Sequence, residues 1–276
     1  GKGEGEWKIP VAASWPLALD QDRLFSLKVD ASFDEGGLVS QFYPEVVQES
    51  SGLIVIQAAA TGSLLQPELS GSLALTRGQG YIPIAGIQLH DLDLLAQLGE
   101  SSLKIDRLFV KSGSGQLSGE GSVELDGWRP LNVRFVLQGE RFRLIHLPEM
   151  QLDIDPDLRL SGTTQDLVLS GTIRLPYFLA SGRGMRNPVA VSPDVKVVDA
   201  PQPPEQSLPF NLEVDVNLRL GEQVLVDLFG LDARLGGELR LGGVDLKHFY
   251  GAGNIHVEEG HFSTYGVKLA IDRGRA

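Results

Sequence analysis

The chain has 276 residues, 36 acidic and 24 basic, for a formal net charge of −12. That balance, with no Lys/Arg cluster to break it, excludes a nucleic-acid surface, because nothing offsets phosphate repulsion. The lack of cysteine excludes disulfides, thiol nucleophiles and cysteine-ligated metal or iron–sulfur centres, while 42% hydrophobic and 22% charged residues describe a folded chain.

The start, Gly1-Lys2-Gly3-Glu4-Gly5, carries no initiator Met and no charged leader, and the end falls in mid-pattern at Asp272–Ala276. The expectation is a piece of a longer protein, with approximate modules over 1–150 and 151–276. One short helix is expected where Leu38, Phe42, Val46 and Val47 follow Glu35-Gly36-Gly37 at helical spacing, shortened or split by Pro44. The longest apolar stretch, Leu53–Ile56 with Ala58–Ala60, falls far short of the ~18 residues of a membrane helix. A weak repeat follows: Gly62, then Leu69-Ser70-Gly71 and an alternating run, matches Gly162, then Leu169-Ser170-Gly171 and another. Its spacing of about 100 residues is too long for a short-period solenoid.

Period two dominates the rest. Apolar residues alternate through Leu103, Ile105, Leu108 and Val110, then Val123 and Leu125, Val133, Phe135 and Leu137, and Phe142 and Leu144. The pattern resumes at Leu158 and Leu160, Leu167 and Leu169, Ile173 and Leu175, and the long run Leu212, Val214, Val216, Leu218, Leu220. Residues at i, i+2 and i+4 share one strand face, and the intervening positions are mostly polar. Glycine is about 12% of the chain against a usual ~7%. The pairs Gly113/Gly115, Gly119/Gly121, Gly236/Gly237, Gly242/Gly243 and Gly251/Gly253 read as turns, bulges or bends between strands of about six to nine residues. Residues 187–210 hold six prolines and read as an extended, mobile loop.

Sheets with one apolar and one wet face are largely antiparallel and must cover the apolar face. Aromatic content of 7% is low for a sandwich core, and scattered Trp and Tyr make no girdle for a membrane barrel. The expected fold is all-β: an elongated, curled antiparallel sheet with an apolar concave groove. The candidate lining is Leu73, Leu75, Leu103, Ile105, Val123, Leu125, Val133, Phe135, Leu137, Leu158, Leu160, Leu167, Leu169, Ile173, Leu175, Leu212, Val214, Val216, Leu218, Ile255, Val257, Val267, Leu269 and Ile271.

Catalytic motifs are sparse. His256, Glu258 and His261 lack the helical spacing of a zinc protease, and Asp153-x-Asp155-x-Asp157 lacks the glycine and final glutamate of a calcium loop. Both read as wet strand faces. No nucleophile elbow, dinucleotide fingerprint or phosphate loop is present. A β-helix polysaccharide lyase using Glu258 or Asp155 is the enzyme alternative, but short-coil repeats and a basic site are missing. No metal, catalytic residue or cofactor is expected.

Four segments carry a family resemblance: Gly71–Gly78 with Ile82–Leu89; Ser118–Leu125; Pro156–Gly162 running into Leu167–Pro176; and Gly230–Leu241 leading to Gly253–Phe262 and Tyr265–Gly274. From about Leu53 onward the chain resembles the C-terminal region of the TamB family, the inner-membrane component of the translocation and assembly module, within the AsmA-like, bridge-like lipid transfer proteins. The resemblance implies a long periplasmic protein, anchored in the inner membrane by a helix outside this chain, with taco-shaped sheets. It implies phospholipid transport between inner and outer membranes along an apolar groove. As an alternative it implies a chaperone for unfolded outer-membrane proteins. It also implies a partner, TamA, a barrel of the BamA type, met by terminal strands outside this chain.

Overall fold

The computed structural model describes residues 1–8, 11–12, 18–19, 24–63, 67–182, 210–243, 249–264, 267–271 and 274–275. Strands β1 (Lys2–Lys8), β2 (Val11–Ala12), β3 (Ala18–Leu19) and β4 (Phe25–Asp34) precede a five-residue helix, α1 (Leu38–Phe42). Then come β5 (Gln48–Gly62), β6 (Pro67–Ile82), β7 (Ile87–Gly99), β8 (Ser102–Ser112), β9 (Gly115–Asp126), β10 (Arg129–Glu140), β11 (Phe142–His146), β12 (Met150–Thr163) and β13 (Asp166–Ser181). The series ends with β14 (Asn211–Leu228), β15 (Leu231–Gly243), β16 (Phe249–Thr264), β17 (Val267–Ile271) and β18 (Gly274–Arg275).

The helix sits where the sequence places it and stops before Pro44, whose ring disfavours helix in the preceding residue. Its free N–H groups are met from outside: the buried Glu35 carboxylate accepts from the N–H of Gly37 and Val39 and from the Ser50 hydroxyl. Burial opposes charge on Glu35, but the Val39, Gly37 and Ser50 donors outweigh it and hold its pKa below the ordinary value.

One sheet of 16 strands contains everything except the β2–β3 hairpin, and its path runs β1-β4-β5-β6-β7-β8-β9-β10-β12-β13-β14-β15-β16-β17 without closing. Strands from β5 onward commonly reach 11 to 18 residues, well beyond the expected six to nine. The reason is that most of the glycines read as punctuation lie inside strands. Gly119 and Gly121 leave room for the Phe135 ring from the neighbouring strand; a Cβ there would stand 2.7 Å and 2.5 Å from it. Gly113 alone among those pairs closes a turn at positive φ. The repeat is structural: Gly62 and Gly162 close the β5–β6 and β12–β13 hairpins. A Cβ on Gly71 or Gly171 would meet the facing carbonyl of Gln57 or Asp157.

All pairings are antiparallel except β13 with β14, which run parallel from Asp166↔Asn211 to Ser181↔Asp227. Two parallel neighbours need a long return connection, which lies in 182–210. The Pro-rich stretch 187–209, expected to be a mobile loop, falls outside the described residues. Among the described residues no helix is long and apolar enough to cross a membrane.

Register shifts bend the strands at matching depths: Gln48–Leu53 of β5, Leu75–Gly80 of β6, His90–Asp93 of β7 and Ile105–Leu108 of β8. Further along, β12 shifts at Asp153–Asp155, β14 at Arg219–Leu225 and β15 at Arg234–Leu235. Each extra residue kinks its strand and raises the local twist, which curls the sheet.

Strand β11 leaves the main path. It pairs with β12 alone, Phe142↔Ile154 to His146↔Gln151, after a bend at Arg141 with φ 46. It passes the tip of the β8–β9 hairpin and touches β7, β8 and β9, and the His146 N–H donates to the Ala85 carbonyl at 2.7 Å. In mid-sheet four ladder steps, about 19 Å, separate β7 from β12. At this margin β11 alone spans the interval, about 10 Å by the same spacing. A margin shorter than the middle forces the sheet to pucker there. The pucker is filled by the buried Val110, Phe142 and Ile154, with Leu89, Leu92, Leu117, Leu152, Ile173 and Leu175 packed around them.

Candidate functional site

The ladders connect strand faces across the whole sheet. One row of partners reads Ala31, Ile56, Leu73, Ala96, Ile105, Gly121, Phe135, Leu160, Leu169, Val214, Gly243. The next reads Phe33, Ile54, Leu75, Leu94, Leu108, Gly119, Leu137, Leu158, Gly171, Val216, Leu241, Gly251. A third reads Val29, Ala58, Gly71, Leu98, Leu103, Val123, Val133, Gly162, Leu167, Leu212. No charged or hydrogen-bonding side chain occurs in any of the three rows.

Each expected lining residue whose side chain is described occupies a register position of this face; the side chains of Val267 and Ile271 lie outside the described residues. Leu125 faces Pro130 just beyond the third row. Ile173 lies between Pro156 and Leu218, Leu218 continues to Leu239, and Leu175 pairs with Leu220. Ile255 and Val257 pair with Gly237 and Leu235. Past the shift at Glu258, Val267, Leu269 and Ile271 pair with Thr264, Phe262 and Gly260. The sequence reading missed Ile54 and Ile56, hidden inside the unbroken run Leu53–Ile56, and Leu92 and Leu94, whose phase slips at the Asp91 bulge. One alternation misled: Leu144 is displaced outward by the shift between Arg143 and Ile145, and Ile145 takes the position facing Leu152.

The two faces differ in burial. All the buried apolar side chains among the described residues, from Ala60 and Leu69 to Val216, Val224 and Ala233, sit on the apolar face. Most of the rest of that face is half-buried, with no second layer over it among the described residues. A single-layer sheet that shelters one face more than the other is curled toward it.

The opposite face carries charge in cross-strand pairs. Asp215 accepts two hydrogen bonds from Arg240, at 2.7 and 2.9 Å, which hold its pKa below the ordinary value. Lys111 does the same for Asp91 at 2.9 Å. Arg174 grips Asp155, and Arg143 grips the buried Asp153 at 3.1 Å. Asp153 is therefore an internal ion-pair partner and not part of a wet face. Arg234 lies 3.2 Å from Glu258 and 3.0 Å from Glu259, tying up both carboxylates of the histidine-rich segment. Phe109 stands on this polar face between Arg107 and Lys111, 5.5 and 5.8 Å from its ring centre. A shallow hollow of about 300 Å³ beside it has a mixed lining, with Asp106, Arg107, Glu120 and Gln138 beside Leu108, Phe109 and Val136.

An open, curled, single-layer β-sheet, charged on one face and largely apolar on the other, defines the class of β-scaffold to which this chain belongs. A family model described as the TamB C-terminal domain matches residues 105–276, and the chain belongs to that family. It is 19% identical over 237 residues to the translocation and assembly module subunit TamB of Haemophilus influenzae, a match over 81% of this chain and 18% of that protein. The chain thus spans about a fifth of the length of that relative. No solved structure matches.

Proposed function

We propose that this chain is a non-enzymatic, periplasmic segment of a longer TamB-type protein whose apolar face carries phospholipid acyl chains between the inner and outer membranes. The observation that supports this is the run of three ladder rows, twelve strands wide at most, without one polar side chain. An acyl chain laid on that surface is shielded from water at about 0.8 kcal/mol per methylene. Nothing in the rows would anchor it at one place, so it can be handed along. Headgroups would stay in water at the margin.

A second reading is a scaffold for outer-membrane protein assembly beside a TamA-type barrel. It draws on the name of the relative, a translocation and assembly module subunit, and on the unclosed sheet, whose outer strands among the described residues keep backbone groups free for another strand. The test is native mass spectrometry of the purified chain with identification of co-purified lipid. Leu137→Asp and Leu158→Asp, on the half-buried part of the face, are expected to strip bound phospholipid while the far-ultraviolet spectrum stays unchanged. Lipid retained at wild-type levels in both variants would rule out the apolar face as the carrier.

A further inference from the structure

Three observations converge on β11. It is five residues long and hydrogen-bonded along one side only, to β12; on the other side the single bond from His146 to Ala85 ties it to the β6–β7 turn. Its Phe142 is buried in the apolar cluster of Val110 and Ile154. Next to that cluster lies Ser112, paired with Leu89 across the ladder, fully buried, and its hydroxyl has no hydrogen-bond partner. A buried hydroxyl without an acceptor is costly, and native proteins seldom keep one without a use.

We infer that β11 is a strap closed over an acyl-ester site, with Phe142 standing where the ligand's chain would lie. This deepens the acyl-carrying reading above and rests on it. Lifting the strap parts the His146 bond to Ala85, the short ladder with β12 and the Arg143–Asp153 ion pair, about a hinge at Arg141, whose φ is already positive. The uncovered floor is Leu89, Val110, Leu117 and Ile154, which accepts a hydrocarbon chain. Its one uncharged polar group is the Ser112 hydroxyl; the nearby Arg143, packed against Gly113, is already neutralised by Asp153 at 3.1 Å. The matching acceptor is an uncharged carbonyl at the end of an apolar chain: the ester of an acylglycerol. A free carboxylate would meet no unpaired cation there, since Asp153 occupies Arg143, and a bare hydrocarbon would leave the hydroxyl unpaired. Exchange of Phe142 for an acyl chain swaps one apolar cover for another, which offsets part of the cost of parting the β12 ladder and the Arg143–Asp153 pair. The site would be a stopping place on an otherwise featureless track.

The chain has no cysteine, so Ala85→Cys with His146→Cys introduces a single possible disulfide, and the 2.7 Å backbone bond brings the two Cα atoms within bridging reach. The probe is a palmitoyl methyl ester bearing a diazirine, with labelled residues mapped by peptide mass spectrometry in the oxidised and reduced protein. Reduced protein is expected to be labelled at Val110 and Leu117 as well as along β14, and oxidation to abolish the first set while leaving the second. Equal labelling of Val110 and Leu117 in both states, or labelling along β14 with none under β11 in either state, overturns the strap and leaves the carrier reading standing. No labelling anywhere overturns the carrier reading and the strap with it. Ser112→Ala, which removes the unpaired hydroxyl and keeps the fold, is expected to erase a preference for the ester over a diazirine hydrocarbon of equal length. Absence of that preference in the wild type refutes the role of Ser112.

Discussion

Val216 and Leu137 lie in the same ladder row, and an aspartate at each separates an open face from a covered one. Val216 is 2% exposed, between Gly171 and Leu241. A carboxyl there loses the burial of a valine side chain, about 1.5–3 kcal/mol. It also buries a polar group with no partner, about 1–3 kcal/mol more even if it stays protonated. The sum, about 2.5–6 kcal/mol, is a large share of a typical stability of about 5–15 kcal/mol. At about 2 °C per kcal/mol for a chain of this size, Tm should fall by roughly 5–12 °C. Leu137 is half-buried, and its open side meets solvent in the curled sheet. An aspartate there can stay hydrated, so about half the transfer energy is lost, near 1 kcal/mol, and Tm should fall by only about 2 °C. Circular dichroism melts of lipid-free protein measure both. Equal losses would mean that a second layer covers Leu137 in solution, and the open-face reasoning would fail.

Three other outcomes follow from local geometry. The pKa of Glu35 is lowered in the folded chain, so its contribution is present above the unfolded glutamate value of about 4.3 and is lost as pH falls through the folded value. Amide exchange at Val39 and Tyr43 should rise in that acid range, and Glu35→Gln should remove the pH dependence. Gly171→Ala meets the Asp157 carbonyl at φ 136, whereas the nearest atom to a Cβ on Gly251 is Leu241 Cδ2 at 3.8 Å. Urea unfolding should show the first variant destabilised by about 1–3 kcal/mol and the second unchanged or stabilised by up to about 1 kcal/mol. Arg143→Ala strands the buried Asp153 carboxylate and should cost about 3 kcal/mol, much of it recovered when Asp153→Asn is added.

The face assignment was legible because period two survives in sequence even where strands bend. The step from Ile105 to Leu108 is three residues instead of two, and the ladder shows a register shift at that point. The short helix was legible from Pro44, and the repeat from its paired glycines. Strand length was not, because glycine in a strand and glycine in a turn look alike in sequence. Only the register reveals that Phe135 needs Gly119 and Gly121 bare. The parallel β13–β14 pair was not legible either. Alternation is the same whichever way a strand runs, and the one clue, a long connection, reads equally well as a loop.

The site divides along the same line. Composition of the lining follows from phase alone, so residues such as Leu160, Leu169 and Val214 could be assigned to one face without coordinates. How deeply each is covered depends on curvature, which arises from where bulges fall on neighbouring strands and from the path of β11. Val216 is sealed and Leu137 is half-open although both sit in one row of the same alternating pattern. Phe142 shows the consequence most sharply. Its alternation with Leu144 looks like any other strand in the chain, yet the register shift after Arg143 turns Leu144 out and leaves Phe142 in the one buried cluster that joins β7 through β13. A largely apolar face therefore acquires a distinct point, because the sheet narrows there and a strand crosses it.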